Sequence, residues 1–345
     1  MRARSWRRYE PATLFGMRAL ALLLLMTAQH PQYDDTITVV RYMLNVRVVD
    51  SAGRPVQDLT ADDFSVRLAG KPATIESATW VRGGETAFRP DELEQLPPEF
   101  AAPQPRTFVV YVQTDFGRNN ARIAGQMKGN YVVDQIVAGI EPEARVAVLS
   151  HDSQLKLRSD FTRDRELTRK AIAQSIRIER TPPPPLHAAG DEGSLATQLD
   201  PDAMKRAATA EAGLLLIAKA LRAIEGPKMI LLAGWGLGEL MPPGWTDAMQ
   251  ELVDQHVPVI TLGTGLGGQL TSGLVATAKT TGGFYVGTQD FARQAINRAT
   301  GAIAGQYEIA LSTEELLPSG NLALEVKVNR RGLTVQAPPF VIHSR

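Results

Sequence analysis

The feature that most constrains this chain is the alternation, across residues 106 to 306, of short apolar runs with longer amphipathic stretches. Phe108-Val-Val-Tyr-Val112, Met229-Ile-Leu-Leu-Ala233, Val257-Pro-Val-Ile-Thr-Leu262 and Phe284-Tyr-Val286 have almost no polar face. Strands written this way are buried on both sides, as in a parallel sheet. Between them, Val133, Ile136, Val137 and Ile140, and later Leu214, Ile217, Ala218 and Leu221, recur at helical spacing. Helices are also expected over 164 to 178, 203 to 224, 247 to 255, 270 to 280 and 291 to 305. Arg145 to Ser150 with Leu155 to Leu157 reads as a hairpin. The pattern specifies a doubly wound, mainly parallel Rossmann-like α/β sheet, covered on both faces through right-handed crossovers.

Outside that span the period falls to two. Val39 to Val49, Ser65 to Leu68 and Ala73 to Trp80 alternate, with turn residues at Asp50-Ser-Ala-Gly-Arg-Pro55 and one capped helical turn at Leu59 to Phe64, where Thr60 and Asp63 are spaced as a capping pair. After Gln306, Tyr307 to Leu311, Leu322 to Val328, Leu333 to Val335 and Phe340 to Ile342 do the same. Neither segment, 36 to 85 or 307 to 345, can bury a core alone, so the two are expected to pair as a β-sandwich-like module. Residues 86 to 105 read as a Pro-rich charged linker. Residues 181 to 200, with prolines from Pro182 to Pro185, read as a mobile insertion of polyproline character.

Composition removes several function classes. Lys plus Arg equals Asp plus Glu, 37 against 37, so no net field draws the chain to nucleic acid or anionic lipid. The absence of cysteine excludes disulfides, thiolate metal sites and a cysteine nucleophile. Arg2, Arg4, Arg7, Arg8 and Arg18 precede the run Ala19 to Met26, which ends in Thr27-Ala28-Gln29. That run is half of what spans a bilayer, so residues 1 to 28 read as a secretory signal, starting at Met1 or Met17, and the mature chain is expected to be secreted or periplasmic without a stable membrane span.

Two motifs invite an enzymatic reading. Gly263-Thr-Gly265-Leu-Gly-Gly268 between a strand and a helix is a G-x-G-x-x-G, with Asp290 placed to take a ribose hydroxyl. It sits late in the domain instead of opening it, so a tight strand-to-helix turn is the stronger reading and a cofactor at Gly263, Gly265, Gly268 and Asp290 the weaker. The histidines, His30, His151, His187, His256 and His343, lack metal-ligand spacing. His151 with Asp152 reads as a hairpin tip and His256 as the last turn of a helix; no catalytic set emerges. Trp235, between Gly234 and Gly236 at the expected mouth of the sheet, is either a partner contact or a plug.

The order of Val46-Arg-Val-Val-Asp-Ser-Ala-Gly-Arg-Pro-Val-Gln-Asp-Leu-Thr-Ala-Asp-Asp-Phe64, Ser159-Asp-Phe-Thr-Arg-Asp164, Leu274 to Gly283, Gly305-Gln-Tyr307 and Asn329-Arg-Arg-Gly-Leu-Thr-Val335 resembles secreted bacterial proteins with a von Willebrand factor type A domain, the acidobacterial-type subgroup in particular. The resemblance implies a metal-dependent adhesion site: an Asp-x-Ser-x-Ser after the first strand, a Thr in a later loop, and an Asp after the central strand. This chain departs from it. Gln113 stands at the Asp, Asp115 and Gly117 at the serines, Gly234-Trp235 at the Asp-Gly, and only Thr197 is offered for the Thr. One carboxylate with neutral partners is a poor hard-cation site, so neither metal nor cofactor is expected. The expectation is a non-catalytic adhesion or scaffold protein binding a protein partner of the cell envelope or extracellular space at the carboxyl-end face, through Gln113, Asp115, Gly117, Arg118, Asn119, Gly234, Trp235 and Gly236; the alternatives are a nucleotide-binding enzyme using the Gly263–Gly268 loop and a structural envelope component.

Overall fold

The computed structural model describes residues 40–82, 106–114, 120–177, 181, 184–185, 193–237, 244–264, 269–288, 292–313 and 317–343. The expected signal segment and linker lie outside them. Strand β5 (Thr107–Gln113) is the centre of the α/β sheet, and its side chains divide between two cores as strand alternation requires. Val109 and Tyr111 join one layer; Phe108, Val110 and Val112 join the other. Each wholly buried Val or Leu contributes about 1.5–3 kcal/mol, which is why polar-free runs settle in the middle of a covered sheet.

Around β5 lie β6 (Arg145–His151), β7 (Leu155–Thr162), β8 (Lys228–Gly234), β9 (Val259–Gly263) and β10 (Tyr285–Gly287), in the order β10-β9-β8-β5-β6-β7. All ladders are parallel except β6 with β7. Helices α1 (Asn120–Ala138), α2 (Arg165–Ser175) and α7 (Ala292–Ala304) contribute to one apolar layer. Helices α3 (Pro201–Arg206), α4 (Ala210–Leu221), α5 (Trp245–Asp254) and α6 (Gln269–Thr280) lie with the other.

The two chain ends build two four-stranded antiparallel sheets. β1 (Val40–Val49) and β4 (Thr74–Arg82) flank β11 (Gly305–Thr313), with β13 (Thr334–Gln336) outside β1. β2 (Phe64–Leu68) and β3 (Lys71–Pro72) join β12 (Gly320–Val328) and β14 (Phe340–His343). Tyr307 sits at the centre, edge-on to Phe64 and Trp80, its hydroxyl donating to Val56 O and accepting from Leu59 N. The 3-10 turn Ala61–Asp63 has the capping box that Thr60 and Asp63 foretold. Helix α7 passes into β11 with no residue between them, and there Gly305 is required: a Cβ would strike Val81 O and the Trp80 ring.

Four expectations need correction. The helix expected over 203 to 224 is two helices, broken at Ala207–Thr209, because Thr209 caps a new start by accepting from Ala212 N. Strand β7 runs on to Thr162 despite Lys156, Arg158 and Asp160, whose charges hid the period. The end of the insertion, from Gly193, is built structure: the Asp160 carboxylate accepts from Leu195 N, Ala196 N and the Ser194 hydroxyl, fixing a turn beside the sheet edge. His256 is past the end of α5, in a turn with φ 54°.

Candidate functional site

Parallel strands end together, so the carboxyl ends of β5, β6, β8, β9 and β10 form one rim. Register pairs Gln113 with His151, Gly234 with Gly263, and Gly263 with Gly287. Of the residues expected to bind a partner, Gln113, Gly234, Trp235 and Gly236 are described and lie here together. Asp115, Gly117, Arg118 and Asn119 fall outside the described residues, as do Gly265, Gly268 and Asp290.

Gln113 is buried and neutral. Its Oε1 accepts a long bond, 3.4 Å, from Gly236 N, and it occupies the space a side chain on Gly234 would need, since a Cβ there would be 2.5 Å from that oxygen. Glycine at 234 thus lets the amide lie flat across the end of β8. The turn that follows leaves Trp235 half-buried at the rim, while Gly236 and Leu237 are buried.

Three threonines, none of them foreseen, close the rim. Thr114 donates to His151 O from its N–H at 2.6 Å and its hydroxyl at 3.0 Å; Thr288 does the same to Gly263 O, both at 3.0 Å; Thr264 N–H donates to Gly234 O at 2.8 Å. A carbonyl has two lone pairs, so His151 O and Gly263 O are saturated. The signal was present in the sequence: Gln113-Thr114, Gly263-Thr264 and Gly287-Thr288 each put Thr directly after a strand. On α1, Gly125 and Gly129, one turn apart, bring the helix against Thr264, where any Cβ would collide with its carbonyl or its methyl.

A hard cation needs several convergent oxygens, at least some of them charged. Among the described residues this rim offers a neutral amide already in use and carbonyls already bonded, and no three His, Asp or Glu side chains gather anywhere among them. The described part of the donor set does not fit such an ion. Thr197 does not serve either: it is exposed and its hydroxyl donates to Ser194 O at 2.8 Å within the turn held by Asp160.

The rim also contains His151, which sequence reasoning set aside as a hairpin tip. It is buried, and its Nε2 lies 2.9 Å from Ala207 O; a carbonyl only accepts, so Nε2 carries the proton and ties β6 to the break before α4. Asp152 turns instead to Lys156, at 2.6 Å with both side chains 1% exposed, so the two residues are not an acid–base pair. Gly263 is likewise taken up by packing. The Tyr285 hydroxyl fills the place of its missing side chain, and burial raises the Tyr285 pKa. That is a packing role for Gly263.

The sheet, doubly wound and parallel but for its last edge strand, defines a Rossmann-like α/β unit. No family model and no curated protein matches the chain. Similar solved structures include a von Willebrand factor type A protein from Catenulispora acidiphila (10% identity, 86% of this chain, 71% of that chain, TM-score 0.42). They also include the vWF domain of the type V pili tip protein Mfa5 from Porphyromonas gingivalis (13% identity, 56% of this chain, 94% of that chain, TM-score 0.39). A third is the conserved hypothetical protein BatB from Bacteroides thetaiotaomicron (12% identity, 57% and 98%, TM-score 0.37). Likenesses this distant carry no functional argument, and the assignment of class rests on the strand order itself.

Proposed function

We propose that this is an exported, non-catalytic protein-interaction protein, an adhesion or scaffold component, that binds a protein partner at the carboxyl-end rim of its α/β sheet without a bridging metal ion. The observation that carries the reading is Gln113: a neutral amide pinned across Gly234 and Gly236 where metal-dependent binding would want a carboxylate. Beside it Trp235 supplies a half-buried aromatic surface of the kind that anchors protein interfaces. The expected contacts are Trp235 with Asp115, Arg118 and Asn119, which follow β5 in sequence. Export rests on the arginine-flanked apolar run that ends at Ala28, and mass spectrometry of the native protein should find a chain starting shortly after it. The binding test is co-purification of envelope proteins with the full mature chain. A specific partner should be retained in the presence of chelator and lost with Trp235→Ala; loss on chelation, or full retention by the variant, contradicts the proposal.

A further inference from the structure

The two edges of the α/β sheet are finished differently. β10, at one edge, is three residues long, too short to serve as a template for another strand. β7, at the other edge, is eight residues long, and every one of them is buried. An edge strand ordinarily shows a row of backbone N–H and C=O groups on which a foreign strand can pair. Here residues 194–207 run over it as a strap. Leu195, Leu199 and Ala207 are sunk in the same apolar layer as Leu155, Leu157 and Phe161 of β7. Between them α3, which has no buried residue, rests against the strand.

Two side chains pin the strap. At its far end the His151 Nε2–H donates to Ala207 O at 2.9 Å. At its near end Asp160 is 0% exposed and takes four donors. Its Oδ1 accepts from Leu195 N at 2.9 Å and Phe161 N at 2.8 Å, and its Oδ2 from Ala196 N at 3.2 Å and the Ser194 hydroxyl. A carboxylate satisfies such a set and a carboxamide cannot, because one of its two ends is itself a donor. Phe161 N belongs to the edge strand, between Ser159 and Thr162, where the ladder to β6 shifts register. One carboxylate therefore both occupies a donor of the edge and fastens the cover over it. We propose that the 194–207 strap is an autoinhibitory cover, latched by Asp160, that keeps β7 from pairing edge to edge with β7 of a second copy of this chain. The second copy fits because two β7 strands related by a two-fold axis run antiparallel, the pairing β7 already makes with β6.

The test is hydrogen exchange read by mass spectrometry, with light scattering, on the full chain and its Asp160→Asn variant. In dilute variant the amides of 194–199 should exchange about tenfold faster or more, while those of β5 and β8 keep their wild-type rates. On concentration the variant should form a dimer in which the β7 amides are slowed, and the wild-type mass should stay constant. Uniform acceleration along the chain, unchanged exchange at 194–199, local opening without dimerisation, or a dimer whose β7 amides stay fast overturns the proposal. Should Asp160→Asn fail to fold, Ser194→Ala, which removes one of the four bonds, decides: exchange at 194–199 no faster than in the wild type overturns it as well.

Discussion

The two ends of the α/β sheet are closed by different chemistries. At the amino end the closure is made by charged side chains: Arg106 spans Glu141 and Ile303 O, and Arg165 donates to Glu141 O and Ala144 O. At the carboxyl end the strand-end carbonyls are closed by neutral groups, Thr114, Thr264 and Thr288, with the Gln113 amide, and the buried Lys156–Asp152 pair is compensated within itself. Guanidinium groups suit the amino end because the turn carbonyls after α1, Glu141 O and Ala144 O, and the last-turn carbonyl Ile303 O of α7 gather there, and cations are favoured at helix C-termini. What the difference teaches is that the carboxyl end, where ligands of open α/β sheets are bound, has its strand-end acceptors already occupied. On the proposed reading, what is left for a partner is shape and the half-buried Trp235.

Substitutions at each end sharpen this contrast. The largest loss is expected for Arg106→Ala, which leaves a half-buried Glu141 without its partner and Ile303 O without a donor; about 3 kcal/mol should disappear from urea unfolding. At the carboxyl end, Gly234→Ala forces the Gln113 amide aside and should cost about 1–3 kcal/mol. The same change in a Gln113→Ala background should cost clearly less, because the collision is gone; equal costs would show that Gln113 is not what requires glycine at 234. Thr288→Val removes one hydroxyl bond to Gly263 O and should cost about 1 kcal/mol.

The smallest effect lies away from both ends, in the sandwich, and serves as a control for acid sensitivity. Arg330 bonds Asp58 and Asp63. Hydrogen bonds from the Arg330 side chain lower the Asp58 pKa, and the Thr60 N–H, followed by Arg330, lowers that of Asp63. Carboxylates whose pKa is depressed on folding stabilise the fold above their ordinary value of 3.8, and that contribution is lost as the pH falls through the folded value. Arg330→Ala should therefore shift the urea midpoint at neutral pH and leave it nearly unchanged in strong acid. Equal shifts at both pH values would show that the ion pairs do not matter.

The fold was legible where one signal dominated. Phe108 to Val112 and Met229 to Ala233 are apolar enough to be read as buried strands, and Thr60 with Asp63 announces its own turn. Legibility failed where local and tertiary signals conflicted. Lys156, Arg158 and Asp160 disguise β7: Asp152 and Ser150 pair with the first two across the hairpin, but Arg177 O and the 194–196 turn, which complete Arg158 and Asp160, lie far along the chain. The break before Thr209 was hidden because Leu214 to Leu221 keep the helical period on one side and Ala203 to Arg206 fit it on the other. At the candidate site the substitution of Gln113 and the glycines around Trp235 could be read directly. The threonine closures could not be weighed, since their meaning depends on which strand lies next to which.

The central proposal is that a partner binds the carboxyl-end rim without a bridging hard cation. It is tested most directly by isothermal titration of manganese or magnesium into the chelator-treated full chain. The account predicts no saturable heat at micromolar affinity. Saturable micromolar binding that disappears in Asp115→Ala would contradict it, and would show that oxygen ligands close a site around the neutral Gln113.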